Sequence, residues 1–556
     1  MFIMKKRKII VQLQHSADVE SLSMSSAKTA SSKNAKLDLG TFQIDQEYGI
    51  LGIPNVKAIE RKDKSIFASG SDFEMDTDPA NHTYIVRGDV SEKDLDKVTN
   101  ELNKNKQVVG VFADVEIEPC LICPGSPAQG THLDVERLLC VARMRAKGMT
   151  GQGVHVAIVD TGINMAYLNA HGKNPNFNAA WSWKPSTSTI TPGSAPVSHG
   201  TMCAFDVCIA APQCSLLDIA LLTTRATGPT AMSGVLSDGI LAYSHLIRFM
   251  GRPTRPGENK SLVVNNSWGM FHPSWDFPIG NPGNYSHNPN HPFTQIVGRL
   301  IRLGADVLFA AGNCGPECPD GRCQNVTNGG IYGANSLEAV ISVAGVATNL
   351  DRVGYSNSGP GDLFRAKPDI TGYTHFSGSG VYSADGGTSA ASPVVAGVVA
   401  AVRTVRPWTG SAISSPASIK TLLTSSARDL GTAGFDFLYG YGVVNGCKII
   451  DKLYPFNICE RYPRICELLR RDKIKILDFC RINPLICKKL ERDFYIDIDR
   501  LPVNTDIATP KAALSKDELL QAIEYLLTDS KPSNEKSSDN QSLDNSDHSE
   551  TCHCNK

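Results

Sequence analysis

The sequence predicts an α/β fold built on a parallel sheet with helices on both faces. Between about residue 151 and residue 453, Gly-rich turns alternate with β-branched runs and Ala-rich segments, which is the pattern of strands joined by helical crossovers. Three apolar runs that end in polar residues are expected to be buried strands: 154–159, 262–264 and 307–310. Because sites in such sheets lie beyond the carboxyl ends of the strands, functional residues are expected at that edge.

Composition excludes some classes of protein and leaves others open. The chain has 556 residues, 41% of them hydrophobic, which is enough for one large core and further units. Lys plus Arg number 55 against 56 for Asp plus Glu. This near-zero balance does not indicate the basic surface that binds nucleic acid, so a polynucleotide partner is not expected. No run approaches the ~20 apolar residues of a membrane span, so none is expected.

The N-terminus and the cysteines bear on the compartment. The basic cluster Lys5–Lys8 is followed by an apolar run that stops at Leu13, too short for a secretion signal. A cytoplasmic location is therefore expected, with non-classical export or a misassigned start as alternatives. The count of 16 cysteines favours disulfides, whereas the missing signal favours thiols; reduced thiols are the prediction.

Five regions follow from the shifts in pattern. They are a poorly patterned N-terminal region over 1–80, a small α/β module over 81–125, the parallel α/β domain over 130–455, a helical Cys-containing extension over 456–528 and a disordered tail over 529–556. In the module, Thr83–Arg87 is strand-like, Ser91 can cap a helix, and an apolar stretch continues to Ile117. Lys8–Gln14 is a candidate first strand outside that module. The extension repeats a Cys-x₃-Pro-x₂-Cys unit at 459–466 and 480–487. The cysteines of these two units could pair as disulfides or remain as buried thiols.

Three polar residues suggest nucleophilic catalysis. Ser389 follows two glycines and precedes an Ala/Val-rich helical run, so its hydroxyl lies at a helix N-terminus, where developing negative charge is stabilised. A serine nucleophile needs a base oriented by a carboxylate, and His199 and Asp160 supply both. Each motif alone is weak, since a serine there is commonly a simple cap. The order Asp, His, Ser along the chain is diagnostic of one triad class, and Asn313 ends another strand with an amide that can donate to an oxyanion.

These segments resemble the subtilase family of serine peptidases, also called subtilisin-like or S8, over roughly Glu136–Leu453. The segments that carry the resemblance are Asp160–Ile163, Ser198–Thr201, Asn266–Gly269, Ala310–Asn313, Gly387–Pro393 and Tyr439–Asn445. It implies a subtilisin-like fold and a serine endopeptidase that needs no cofactor and acts on polypeptides. In that mechanism Asp160 orients His199, His199 is general base and then acid, Ser389 is the nucleophile, and Asn313 with the Ser389 N–H holds the oxyanion. Ser267, Trp268 and Gly269 would pair with the substrate backbone.

The resemblance also implies a zymogen. The module over 81–125 is similar to the family's inhibitory propeptide, so the chain's own N-terminal segment is expected to act as an intramolecular inhibitor, removed somewhere between Glu118 and Val135. A permanent N-terminal domain is the alternative. Two rival functions are a peptide ligase, in which an amine resolves the acyl-enzyme, and a catalytically silent peptide-binding module.

The sequence departs from the family at several cysteines. Cys203 and Cys208 follow the histidine segment and are expected to be small core residues. The loop after Asn313 carries Cys314, Cys318 and Cys323. These cysteines could be free thiols, form one disulfide or bind a metal. Because three cysteines do not complete a zinc set, no metal is predicted there, nor at the weaker candidates Cys120–Cys123 and Cys552–Cys554. Calcium is possible in the aspartate loop but is not predicted, because Asn169 offers no charge.

Overall fold

The computed structural model describes residues 6–25, 37–58, 73–119, 127–223, 232–327 and 329–454. The chain divides into two compact units, one comprising residues 1–452 with the last five residues and the other residues 453–551, and only the first is considered below. The Cys-containing extension, the tail, Cys120–Cys123 and Cys552–Cys554 lie outside the described residues.

The N-terminal module is an antiparallel sheet with two helices of 9 and 10 residues. Its elements are β1 (Lys6–Leu13), α1 (Ala17–Ser25), β2 (Leu51–Ile53), β3 (Val56–Ala58), β4 (Phe73–Met75), β5 (Thr83–Ser91), α2 (Leu95–Lys104), β6 (Val108–Ala113) and β7 (Glu116–Pro119). Four strands pair in the order β2-β5-β1-β6, with β1 antiparallel to both of its neighbours. Ile9, Ile10 and Val11 of β1 are fully buried. The module therefore begins with the strand at Lys6 and not at residue 81, since the region over 1–80 supplies its inner strand.

The larger domain is the α/β sheet that the sequence predicts. Its elements are α3 (His132–Leu138), α4 (Val141–Ala146), β8 (His155–Asp160), α5 (Met165–Ala170), β9 (Asn176–Phe177), α6 (His199–Ala210), β10 (Ser215–Ala220), β11 (Gly234–Val235), α7 (Leu236–Met250), β12 (Leu262–Asn266), β13 (Trp268–Gly269), α8 (Pro292–Arg302), β14 (Asp306–Ala310), β15 (Ile341–Val346), β16 (Ile370–Tyr373), α9 (Gly387–Val405), α10 (Pro416–Ser425) and α11 (Gly446–Leu453). Seven strands pair in the order β16-β15-β14-β12-β8-β10-β9, and every pair is parallel.

Helices cover both faces of this sheet, which is why its strands are apolar without alternation. Alternate strand residues such as Ala157, Val264 and Phe309 belong to one core shared with α7, α8 and the N-terminal module. On the other face α9 packs against α6 and five strands, β8, β12, β14, β15 and β16. The predicted fold class is confirmed.

Five described cysteines are disulfide-bonded, so the prediction of reduced thiols is wrong for them. Cys140 pairs with Cys447 across 307 residues, and Cys314 pairs with Cys323. Cys318 is also in a disulfide. The free cysteines among the described residues are Cys203, Cys208 and Cys214, all buried.

One described helix, α9, is long and apolar enough to cross a membrane, and 89% of its most apolar window is buried within the protein. That burial is what a core helix of this sheet requires.

Candidate active site

The carboxyl ends of the central strands place a hydrogen-bonded aspartate and histidine side by side. Asp160 is the last residue of β8, and His199 is the first residue of α6. His199 Nδ1 lies 2.8 Å from Asp160 Oδ1 and 3.0 Å from Oδ2, and both side chains are buried. Gly200 permits this approach, because a Cβ there would lie 2.5 Å from the Gly162 carbonyl oxygen. The carboxylate thus holds the imidazole so that Nε2 faces away from it.

Ser389 lies in the first turn of α9, as the sequence predicts. Gly387 opens the helix with φ of 72°, a left-handed conformation that glycine adopts without a steric penalty. Ser389 Oγ donates to the Ser267 carbonyl oxygen at 3.0 Å, while His199 Nε2 is buried and has no hydrogen-bond partner among the residues that the structure describes. In this arrangement the bond between nucleophile and base is not made, a common feature of serine sites without substrate. A rotation of the serine side chain about χ1 would redirect its hydroxyl.

The Asn313 side chain is oriented by Thr388. Asn313 Oδ1 accepts hydrogen bonds from Thr388 N at 2.9 Å and from Thr388 Oγ1 at 3.0 Å. Thr388 Oγ1 in turn accepts from Gly312 N at 3.0 Å. Because the amide oxygen is occupied, the Nδ2 donors are presented on the opposite side of the side chain, the orientation that an oxyanion donor needs.

The three predicted substrate-binding residues make different contacts, two with strand β7 and one with the Ser389 backbone. Trp268 and Gly269 form β13 and pair antiparallel with β7, Trp268 opposite Pro119 and Gly269 opposite Glu118. The Trp268 side chain is in the core, where Nε1 donates to the Val159 carbonyl at 2.9 Å, so only its backbone faces the groove. Ser267 Oγ donates to the Ser389 carbonyl at 2.9 Å.

The segment Glu116–Pro119 therefore lies between two strands of the peptidase domain. On its other edge β11 pairs with it antiparallel, Gly234 opposite Ile117 and Val235 opposite Glu116. The resulting three-stranded sheet, β11-β7-β13, has an N-terminal-module strand in the middle, which is the geometry of β-strand addition.

Cys203 and Thr388 are two site residues that the sequence reasoning missed. Cys203 Sγ lies 3.7 Å from Asp160 Oδ2, 3.8 Å from His199 Nδ1 and 3.6 Å from the Ser389 carbonyl, and burial raises the pKa of this thiol well above its ordinary value. Its position four residues after His199 on a helix is the signal that could have found it, since such residues share a face. Asp160, His199 and Cys203 are also the cluster of described residues with metal-ligand spacing.

Buried carboxyl groups lie close to the catalytic pair. Burial raises the pKa of Asp218 to about 7, although hydrogen bonds from the backbone N–H groups of Ile163 and Gly193 lower it. Burial raises the pKa of Asp385 to about 6 and that of Asp206 well above its ordinary value, and each of these two carboxyl groups affects the pKa of the other. These three carboxyl groups therefore keep their protons to a higher pH than an ordinary aspartate does.

Comparison with known proteins relates this chain to one family of peptidases. The family model described as "Subtilase family" matches residues 151–442, more than half of the chain. Subtilisin DY of Bacillus licheniformis is 27% identical over 314 residues, covering 55% of this chain and 94% of the relative. M-protease of Shouchella clausii is 26% identical over 343 residues, covering 60% of this chain and 74% of the relative. Fervidolysin of Fervidobacterium pennivorans, described as a keratinolytic enzyme related to subtilisin, aligns with a TM-score of 0.48 and 16% identity over 81% of this chain and 61% of its own.

The fold and the Asp-His-Ser constellation define a serine peptidase built on a parallel α/β sheet. The chain belongs to the subtilase family, and it is a subtilisin-like serine endopeptidase.

Proposed function

We propose that this endopeptidase is made as a zymogen, in which the N-terminal module fills the substrate groove, and that Ser389, His199, Asp160 and Asn313 carry out catalysis. The observation that carries the proposal is the pairing of Glu116–Pro119 with both β11 and β13. A polypeptide substrate bound as a strand would need those same two edges, so enzyme and substrate cannot meet until β7 leaves.

Contacts on α7 support the inhibitory role of the module. Asp114 accepts from Ser237 N at 2.8 Å and from Ser237 Oγ at 2.7 Å, in the first turn of α7, where a carboxylate is favoured. Arg87 Nη1 donates to Asp238 Oδ1 at 2.7 Å. Tyr48 Oη donates to the Ser237 carbonyl at 3.0 Å. These buried, charge-assisted contacts hold β7 in place.

The register of β7 also indicates how a substrate would reach the nucleophile. Pro119 lies opposite Trp268, so a substrate strand in the same register presents its next residue opposite Ser267, whose carbonyl accepts from Ser389 Oγ. We propose that the enzyme cleaves the peptide bond that follows this residue. In the same register, removal of the module would fall at the bond after Cys120, within the range expected from the sequence.

The proposed reaction is acyl transfer to water. His199 Nε2 takes the proton of Ser389 Oγ as the oxygen attacks the peptide carbonyl carbon, and Asp160 stabilises the resulting imidazolium. The carbonyl oxygen becomes an oxyanion within reach of Asn313 Nδ2 and the Ser389 N–H. When the C–N bond breaks, His199 returns the proton to the leaving amine, and water resolves the ester by the same steps in reverse.

Labelling with a fluorophosphonate probe tests the proposal on the purified full-length chain. The wild type should be labelled once the module is displaced by self-processing or by limited proteolysis, whereas Ser389→Ala and His199→Ala should not be labelled. Mass spectrometry should show the wild type without its first ~120–135 residues and Ser389→Ala at full length. Equal processing of both proteins would contradict the zymogen, and an unlabelled wild type after proteolysis would contradict the catalytic assignment.

A further inference from the structure

We propose that Arg322 forms a substrate subsite selective for an acidic side chain at the position that Glu118 occupies, opposite Gly269. The inference rests on the proposed function, because it takes β7 as the image of a bound substrate. It would make the preferred substrates polypeptides with a glutamate two residues before the one whose bond is cleaved.

The contact that carries the inference is between the catalytic domain and the strand in its groove. Arg322 Nη1 donates to Glu118 Oε2 at 2.7 Å, and Nη2 donates to the Pro119 carbonyl at 2.8 Å. The Arg322 and Glu118 side chains are only 20% and 16% exposed. One guanidinium thus reads a side chain and the backbone of adjacent residues, which fixes both the charge and the position of the group that it selects.

The guanidinium is held in place before any substrate arrives. Asp320 accepts from Arg322 Nε at 2.9 Å and from Nη2 at 2.8 Å, a two-point contact that fixes the guanidinium plane. Arg322 Cζ also lies 3.7 Å from the centroid of the Phe271 ring, a cation–π contact. Because these contacts come from the peptidase domain, they would persist after the N-terminal module has left, and little ordering would be needed on binding.

A disulfide joins this subsite to the oxyanion hole. Cys314 and Cys323 are bonded, and they directly follow Asn313 and Arg322 in the sequence. The Asn313 carbonyl accepts from Asp320 N at 2.9 Å. The loop is therefore closed at the catalytic asparagine, and Arg322 has a fixed place relative to the scissile bond.

The chemistry of the site ranks three side chains. A carboxylate makes a charge-assisted bond to Arg322 Nη1, an amide of the same length makes a neutral–charged bond, and a lysine places like charges together in a partly desolvated contact. We expect glutamate to be preferred over glutamine by about tenfold and over lysine by more. These side chains differ in charge at similar length, so the ranking isolates the electrostatic contribution.

Competition between peptides tests the inference without any protein variant. Three internally quenched peptides would carry Ile-Z-Pro-X at matched positions, with Z as Glu, Gln or Lys and X as a mixture of residues. They would be digested together by the enzyme that the full-length chain yields, with active sites counted by the fluorophosphonate probe. The ratio of products measured by mass spectrometry gives the ratio of kcat/KM directly.

Protein variants then assign the selectivity to Arg322. Arg322→Gln should remove the preference for glutamate, and Arg322→Glu should reverse it in favour of lysine. The matched control is Arg137→Gln, whose exposed arginine pairs with Asp134 on α3 and should leave the ranking unchanged.

The outcomes distinguish failure of the Arg322 subsite from failure of the proposed peptidase function. Equal cleavage of the three peptides, or cleavage of none by an enzyme that the probe still labels, overturns the subsite and leaves the peptidase assignment standing. An enzyme that neither cleaves nor reacts with the probe overturns both.

Discussion

Thr388 orients the Asn313 amide by donating two hydrogen bonds to its Oδ1. Asn313→Ala should lower kcat by about 10²–10³, a size for which a subtilisin supplies the precedent, with little change in KM. The reason is that the amide meets negative charge only in the transition state. Steady-state kinetics on a peptide substrate measures both constants, and a rise in KM alone would assign Asn313 to ground-state binding.

Thr388 provides a separate test of orientation. Thr388→Val removes the hydroxyl that donates to Asn313 Oδ1 and accepts from Gly312 N, so kcat should fall by about tenfold, the value of one hydrogen bond. Thr388→Ser keeps the hydroxyl and should restore most of the activity. If the valine and serine variants are equally impaired, the methyl packing of Thr388 matters and its hydrogen bonds do not.

The site residues divide into those that the sequence predicts and those that it does not. Asp160, His199, Ser389 and Asn313 each lie at or just beyond the end of a strand or in the first turn of a helix, and short motifs mark such positions. Thr388 was hidden because its partner is 75 residues distant in sequence. Arg322 was hidden for the same reason, since Glu118 is 204 residues away. Contacts of this kind depend on tertiary packing, and no local pattern records them.

At the scale of elements, α6 and the segment before α9 meet through two carboxyl groups. Neither oxygen of Asp206 has a donor partner among the described residues, and its neighbour is the Asp385 carboxyl group, so the pair must share a proton. Asp385 also accepts from Ser379 N and Ser379 Oγ, each at 2.5 Å, and Lys173 lowers the pKa of Asp206 by its charge. Burial outweighs these effects, and both pKa values are raised.

The shared proton sets a pH dependence of stability. Both folded pKa values lie above the unfolded value of 3.8, with that of Asp385 at about 6, so the folded state keeps protons that the unfolded state has released. The free energy of unfolding should therefore fall as the pH rises above about 4. The Asp385 contribution, on the order of 2–3 kcal/mol, is lost through about pH 6, and the Asp206 contribution is lost as the pH passes the raised pKa of that group.

Asp206→Asn tests this in the Ser389→Ala background, which prevents autolysis. The asparagine amide can donate its N–H to Asp385 at any pH, because it does not titrate. The variant should therefore gain roughly 1–3 kcal/mol at pH 8 relative to its parent and gain little at pH 4. Urea denaturation at the two pH values measures the difference. Asp96→Asn, at an exposed position of α2, is the control and should show no such divergence, and parallel behaviour of the two variants would refute the shared proton.

At the scale of the whole molecule, the Cys140–Cys447 disulfide joins the start of α4 to α11 across 307 residues. Replacing both cysteines by serine should cost about 2–4 kcal/mol, because a long loop becomes free in the unfolded chain. Thermal unfolding of Ser389→Ala protein would show the loss as a Tm lower by several degrees, and an unchanged Tm would mean that the disulfide constrains little. We propose that these disulfides favour an oxidising compartment over the cytoplasm.

The extent of the N-terminal module was the largest error of sequence interpretation. Its inner strand, β1, is separated from its partner β5 by about 70 weakly patterned residues, and nothing local in either strand-like segment records that the two are paired. The α/β domain was predicted correctly because its strands are buried on both faces and read as uninterrupted apolar runs.

The module and the peptidase domain share a buried ionic cluster, and this cluster decides how firmly the zymogen is closed. Arg87 lies among Asp45, Asp114 and Asp238, with Asp114 and Asp238 nearly fully buried. Arg87→Met would leave these carboxylates without their cation, at a cost of about 3–5 kcal/mol, because unpaired buried charge is far more expensive than a lost surface pair.

That cost should appear as opening of the module before any global unfolding. In Ser389→Ala protein, hydrogen exchange of β1 and β5 amides should accelerate by at least about a hundredfold in Arg87→Met. Lys97→Met is the matched control, because Lys97 is 69% exposed and lies 4.0 Å from Glu101, and it should change exchange by less than about fivefold. Equal exchange in the two variants would mean that apolar packing alone closes the module. The ionic cluster would then set only the orientation in which β7 enters the groove.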